Sequence, residues 1–190
     1  DKVVVSTLTA GAPGVAQLQV GDIIYGVNGE ALSLQEMALK YNMDYINLGF
    51  SGGAKGEVPM AEYISGLTMC AFVCDYDYNA PDAKHLQDTH YRFYEIIRKA
   101  QPAIPYIMVS RPNFYADPIS NAERRAVITE SYNRAIVSGD KNVYFIDGET
   151  LFEGEFCESC TSDGTHPNDL GFYRMANKIG EVVARVSDIE

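Results

Sequence analysis

Residues 67–110, "LTMCAFVCDYDYNAPDAKHLQDTHYRFYEIIRKAQPAIPYIMVS", decide how this chain folds. The opening run, 67–76, is almost continuously apolar, the pattern of a strand buried on both faces. A helical pattern follows over 81–101. It starts behind Pro81, places Leu86, Tyr91, Tyr94 and Ile97 near one stripe, and stops ahead of Pro102. A second apolar run, "IPYIMVS" (104–110), closes the unit. Strand, helix, strand in one sheet means parallel pairing through a crossover helix. The pattern extends in both directions. "MDYINLGF" (43–50) and "NVYFID" (142–147) read as further strands. "SNAERRAVITESYNRAIVSG" (120–139) reads as a helix with a Ser120–Glu123 capping box and a stop at Gly139. "NDLGFYRMANKIGEVVARV" (168–186) carries Leu170, Tyr173, Ile179, Val182 and Val186 at helical spacing. The expected class is α/β: a three-layer α/β/α sandwich around a parallel sheet of about five strands, with a non-standard amino-terminal segment.

Composition narrows the function classes. The chain has 190 residues, 46% of them hydrophobic, with 13 Tyr and eight Phe, enough for one domain with a substantial core. A formal net charge of −11 argues against a nucleic-acid partner, which calls for clustered Lys and Arg. No apolar run reaches the roughly 18 residues of a membrane span. The chain begins at Asp1 rather than methionine, which suggests removal of an upstream segment. Cys70 and Cys74 read as buried small hydrophobes. Cys157 and Cys160, in "CESC", read as a local disulfide or free thiols, because zinc would need a second ligand pair nearby.

In a doubly wound sheet, ligands collect at the carboxyl ends of the strands. The loops "GFSGGAKGE", "DYDYNAPD", "SRPNFYAD" and "CTSDGTH" all fall there. The last continues into "DGTHPNDLGF" (163–172), where Asp163 and His166 stand three residues apart at a loop-to-helix junction. A general-base histidine needs a carboxylate on its far nitrogen to fix the tautomer and stabilise the imidazolium. Ester chemistry also needs donors aimed at the developing oxyanion: Gly52 can offer a backbone N–H and Asn79 a side-chain amide. The bland readings are that Gly52 and Asn79 only make turns, and that His166 enters a helix with Asp163 as a cap.

"NLGFSGGAKGE", "DYDYNAPD" and "DGTHPNDLGF" resemble three blocks of the SGNH (GDSL-like) esterases and acetylhydrolases, over residues 43–186. The resemblance implies a serine nucleophile, His166 as base, Asp163 as its orienting acid, and Gly52 and Asn79 as oxyanion donors. It implies no metal and no cofactor, and a small acyl ester as partner. The family's serine block is missing. One register over "VVVSTLTAG" places Thr7, with Ser6 one residue early, at the nucleophile position; another over "VGDIIYG" places Ile23 there, which describes a dead enzyme. Ser51, beside the oxyanion glycine, is a lesser candidate, and Ser110 and Ser162 lesser still. Residues 11–32, "GAPGVAQLQVGDIIYGVNGEAL", resemble the middle of a PDZ domain, in a segment (1–35) too short to bury a core of its own. The expectation is a PDZ-like segment packed on a single hydrolase domain of 190 residues, a chimera of natural or engineered origin.

The function expected is hydrolysis of small acyl esters or acetylated carbohydrates by a Ser–His–Asp type mechanism, impaired by the missing block. A catalytically inactive scaffold and a peptide-binding module are the rivals. A flavodoxin-like cofactor binder is disfavoured, because no Gly-x-Gly-x-x-Gly follows a first strand and "GFSGGAKG" lacks the P-loop ending.

Overall fold

The computed structural model describes residues 38, 40–49, 52–112 and 117–187. Three parallel strands form the sheet in the order β1 (Phe72–Cys74), β2 (Tyr106–Val109), β3 (Val143–Ile146). Among the helices of the described residues are α1 (Val58–Ser65), α2 (Ala83–Ala100), α3 (Pro118–Val137) and α4 (Asp169–Val186). The registers Phe72↔Tyr106, Cys74↔Met108 and Met108↔Phe145 keep the three carboxyl ends level. Their exit loops therefore meet on one rim.

β2 is the shared wall of two cores. All four of its residues are fully buried, and strand alternation sends them to opposite sides. Tyr106 and Met108 join Leu86, Phe93, Tyr94, Ile97 and Ile128 under α1–α3. Ile107 and Val109 join Leu151, Met175, Ile179 and Val183 under α4. The layering is helix, sheet, helix, as the alternating pattern required.

The observed strands are shorter than the apolar runs that announced them. Residues 43–49 make one bridge at Ile46 and no strand, so the 43–50 expectation is not met where described; Phe50 lies outside the described residues. The helices also correct the sequence reading in detail. α3 starts two residues early: Pro118 takes the first turn and the Asp117 carboxylate caps Ser120 N at 3.2 Å, so Ser120 is helical and not the cap. Its carboxyl end is as expected. Gly139 sits at φ +92° and its N–H meets the Ile136 carbonyl at 2.9 Å, while Asp140 N reaches Ala135 O at 3.1 Å. In α4 the buried face is Phe172, Met175, Ile179 and Val183; Tyr173 is exposed, and Leu170, Val182 and Val186 flank the face half-buried. In α2, His90 and Phe93 belong to the buried stripe and Tyr91 lies at its edge.

At the end of the sheet away from the rim, Arg98 ties α2 to β3. Its Nε meets Asp140 at 2.8 Å, and its two terminal nitrogens donate to the carbonyls of Gln101, Ile104 and Asn142 at 2.7–3.0 Å. The PDZ-like reading of 1–35 lies outside the described residues. Among the described residues, all four cysteines are free thiols; burial pushes Cys74 up to about 12.

His90 is fully buried against Tyr76, with ring centroids 5.7 Å apart, and burial lowers its pKa from 6.5 to about 4. The unfolded chain therefore binds the extra proton first, and stability falls as the pH drops from about 6.5 towards 4. The full loss is on the order of 3 kcal/mol. Urea denaturation at pH 7 and pH 4.5 measures it, and His90→Leu removes most of this pH dependence.

Candidate active site

The site is built on the amino end of α4. Asn168 caps that helix, its Oδ1 accepting from Leu170 N at 3.1 Å and Gly171 N at 3.2 Å. Its backbone N–H binds the Cys160 carbonyl at 3.0 Å and its Nδ2 binds the Ser159 carbonyl at 2.7 Å. The helix start is thus welded to the preceding turn. Gly171 makes this possible: a Cβ there would lie 2.2 Å from the Cys160 oxygen. Between Cys160 and Asn168 the chain doubles back, with Thr161 and Pro167 paired and Ser162 N bound to His166 O at 2.9 Å.

Asp163 and His166 face each other across this loop. One carboxylate oxygen accepts from the backbone of Thr165 at 2.9 Å and of His166 at 2.7 Å. The other lies 2.7 Å from His166 Nδ1. A carboxylate only accepts, so Nδ1 carries the proton and Nε2 keeps the lone pair of the neutral ring. The same contacts hold the Asp163 carboxyl well below the usual range, the backbone N–H of His166 first and its ring second. Both side chains face solvent, 75% exposed for His166 and 54% for Asp163. Asp163 does not cap α4, which Asn168 caps; its backbone contacts stay within the loop, to Thr165 and His166.

The other wall of the site is the exit of β1. Asp77–Asn79 form one 3₁₀ turn. Asp77 is 1% exposed and Arg124 of α3 is 5% exposed. Arg124 Nη1 donates to the Asp77 carbonyl at 2.7 Å and to its Oδ1 at 3.1 Å, and Nη2 donates to the Ala80 carbonyl at 2.9 Å. The other Asp77 oxygen accepts from Arg111 N at 2.9 Å, at the exit of β2. Tyr78 donates to the Pro112 carbonyl at 3.0 Å, and the Arg111 guanidinium stands 5.1 Å from its ring centre. Burial raises the Tyr78 pKa, Arg111 opposes this, and Asp163 adds to it from the facing wall.

Between these two walls lies a cavity of about 310 Å³. Tyr78, Asn79 and Pro167 stand on its wall, and Leu48, Met60, Phe72, Phe172 and Met175 make much of it apolar. The structure thus brings Asn79 and the residue after His166 to one cavity. Gly52, at φ +84° with open space beside it, is not on that wall; Ala54 and Gly56 of the same loop are. Ser6, Thr7, Ile23 and Ser51 lie outside the described residues. Ser110 is buried, its hydroxyl accepting from Gly148 N at 2.8 Å, which leaves it no catalytic position. Asp77, Tyr78 and Arg124 were not singled out from sequence. The available signal was Arg124 itself, a charge on the stripe Asn121, Ile128, Ser131, Ala135 that α3 buries.

A model of the GDSL-like lipase/acylhydrolase family matches residues 34–184. The chain belongs to that family. Among solved structures it resembles a Bacteroides ovatus protein assigned as a GDSL-like lipase, at 28% identity and a TM-score of 0.74 over 85% of this chain and 49% of that one. It resembles a salicylyl-acyltransferase from a tetracycline biosynthetic pathway at 19% identity and a TM-score of 0.65, over 83% of this chain and 50% of that one. A family two carbohydrate esterase from Clostridium thermocellum, in complex with cellohexaose, gives 18% and 0.60, over 82% and 54%. The last two likenesses show the fold alone. The chain spans about half the length of these structures. No curated protein matches it. The family match begins at residue 34, and no comparison supports a PDZ-like or chimeric origin for the segment before it.

Two outcomes follow from this geometry. Asp163 remains a carboxylate at pH 4: its carboxyl carbon titrates with a midpoint well below the ordinary ~3.9 by nuclear magnetic resonance, and the stability it lends is present above that pH and lost as the pH falls below it. Gly171→Ala forces a Cβ into the Cys160 carbonyl and lowers unfolding free energy by about 2–3 kcal/mol, read from chemical denaturation.

Proposed function

We propose that this chain is an esterase or acetylhydrolase acting on small acyl esters or acetylated carbohydrates by a Ser–His–Asp type mechanism, within one hydrolase domain. The observation that carries this is the Asp163–His166 pair, 2.7 Å apart, adjoining Pro167 on the wall of a largely apolar cavity that Asn79 lines. Family membership supports this reaction class, and the carbohydrate esterase among the similar folds suggests the sugar ester as a candidate substrate.

In this reading His166 Nε2 removes the proton of a hydroxyl nucleophile as it attacks the acyl carbonyl. Asp163 holds the ring and stabilises the imidazolium. The carbonyl electrons move onto oxygen, where the Asn79 amide receives them. Collapse expels the alcohol, to which His166 returns the proton. Water then repeats the sequence on the acyl-enzyme. The apolar cavity takes the acyl side. Ser6 or Thr7 is the proposed nucleophile, in a register the family does not share cleanly, so turnover is expected below that of an ordinary member.

The test is hydrolysis of 4-nitrophenyl acetate by the chain and by its Ser6→Ala, Thr7→Ala, His166→Ala and Asp163→Asn variants. His166→Ala and loss of the true nucleophile should each leave only the residual acceleration of donors and binding, on the order of 10³–10⁴ over water. Turnover unchanged by His166→Ala would refute the reading. Loss with Ser6→Ala, but not Thr7→Ala, would assign the nucleophile.

A further inference from the structure

We propose that Arg124 and Asp77 are positioning residues for the reaction, setting the oxyanion donor Asn79 from below. This rests on the reading of Asn79 as that donor.

Asn79 closes a three-residue 3₁₀ turn that follows the three-residue strand β1. Its own backbone contacts are sparse: Asn79 N to Tyr76 O at 3.0 Å, then Ala80 N to Tyr76 O at 3.1 Å and to Asp77 O at 3.2 Å. Short 3₁₀ turns have poor hydrogen-bond geometry and hold a side chain loosely on their own. The placement comes from outside. Arg124 takes the carbonyl two residues before Asn79 and the carbonyl just after it, with its two terminal nitrogens, and adds the Asp77 carboxylate. Arg111 N holds that carboxylate from the other side. Asn79 is bracketed on both flanks.

Stability alone does not call for this arrangement. The pair is 6% and 0% exposed in its side chains, and apolar residues at both positions would fill the same space without taking two charges out of water. Arg124 even leaves its Nε buried without a partner. What a planar fork offers, and neither an ammonium nor an apolar side chain can, is two carbonyls and a carboxylate bound at fixed relative positions. Transition-state donors demand that accuracy. A displacement of about 1 Å in a catalytic group costs on the order of 10²-fold in rate.

The experiment is a double-mutant cycle on 4-nitrophenyl acetate turnover, with folding followed by circular dichroism. Asn79→Ala should lower kcat by about 10²-fold or more. Arg124→Lys should lower kcat by on the order of 10–100-fold with KM little changed, and Asp77→Asn should do the same. In the Asn79→Ala background either change should lose most of its effect. Full multiplicative losses in that background overturn the inference and leave Asn79 in place as a donor. An unaltered kcat in Asn79→Ala overturns the donor reading, and the inference with it. A readout independent of turnover is the side-chain amide signal of Asn79 in a ¹⁵N spectrum. Arg124→Lys should broaden or double it while Asn168 stays sharp; an unchanged Asn79 signal overturns the inference.

Discussion

The structure depends on one buried charge pair. Asp77 and Arg124 lock together three elements at the rim: the exit of β1, the exit of β2 through Arg111 N, and the first turns of α3. Taking two charges out of water is costly, and what offsets the cost is that every oxygen of Asp77 finds a donor. Removing either partner would strand the other in the core. The rim of the sheet is therefore anchored by electrostatics, while its opposite end is anchored by Arg98 and its carbonyl acceptors. Apolar packing fills the space between these two ends.

What the sequence disclosed was local. The alternation of apolar runs with amphipathic segments required a parallel sheet with helices on its faces, and the chain has that form. Gly139 ended α3 because a left-handed residue is needed there and glycine takes that conformation freely. Asp163 and His166 were legible because the loop that joins them is seven residues from Thr161 to Pro167, and its own hydrogen bonds fold it. Where the reading slipped, neighbours decided. Ser120 and Glu123 make a valid capping box in isolation, but the Asp-Pro step at 117–118 caps the helix first. Tyr173 fits a helical stripe as well as Phe172 does; the turn welded to Cys160 sets which one turns inward.

The candidate site was legible to the same extent. Its Asp–His half is local, and it was read with its geometry. Its Asn79 half depends on Arg124, which lies 44 or 47 positions from the oxygens it binds, and no pattern within a window reports such a contact. Gly52 was placed by analogy with a glycine-rich loop; that loop supplies Ala54 and Gly56 to the cavity, and Gly52 stays off the wall. Sequence spacing finds groups that share a turn and misses those that share only a fold.

The exposure of the Asp163–His166 pair has a consequence of its own. With half or more of each side chain in water, solvent screens the attraction between carboxylate and imidazolium, and the effective dielectric around them is high. Anything that settles over the ring replaces that water with matter of low polarisability. The pair then interacts more strongly while it is covered than while it is open. Its electrostatic strength is thus a property of the occupied site, rising with how completely a bound molecule closes off the bulk.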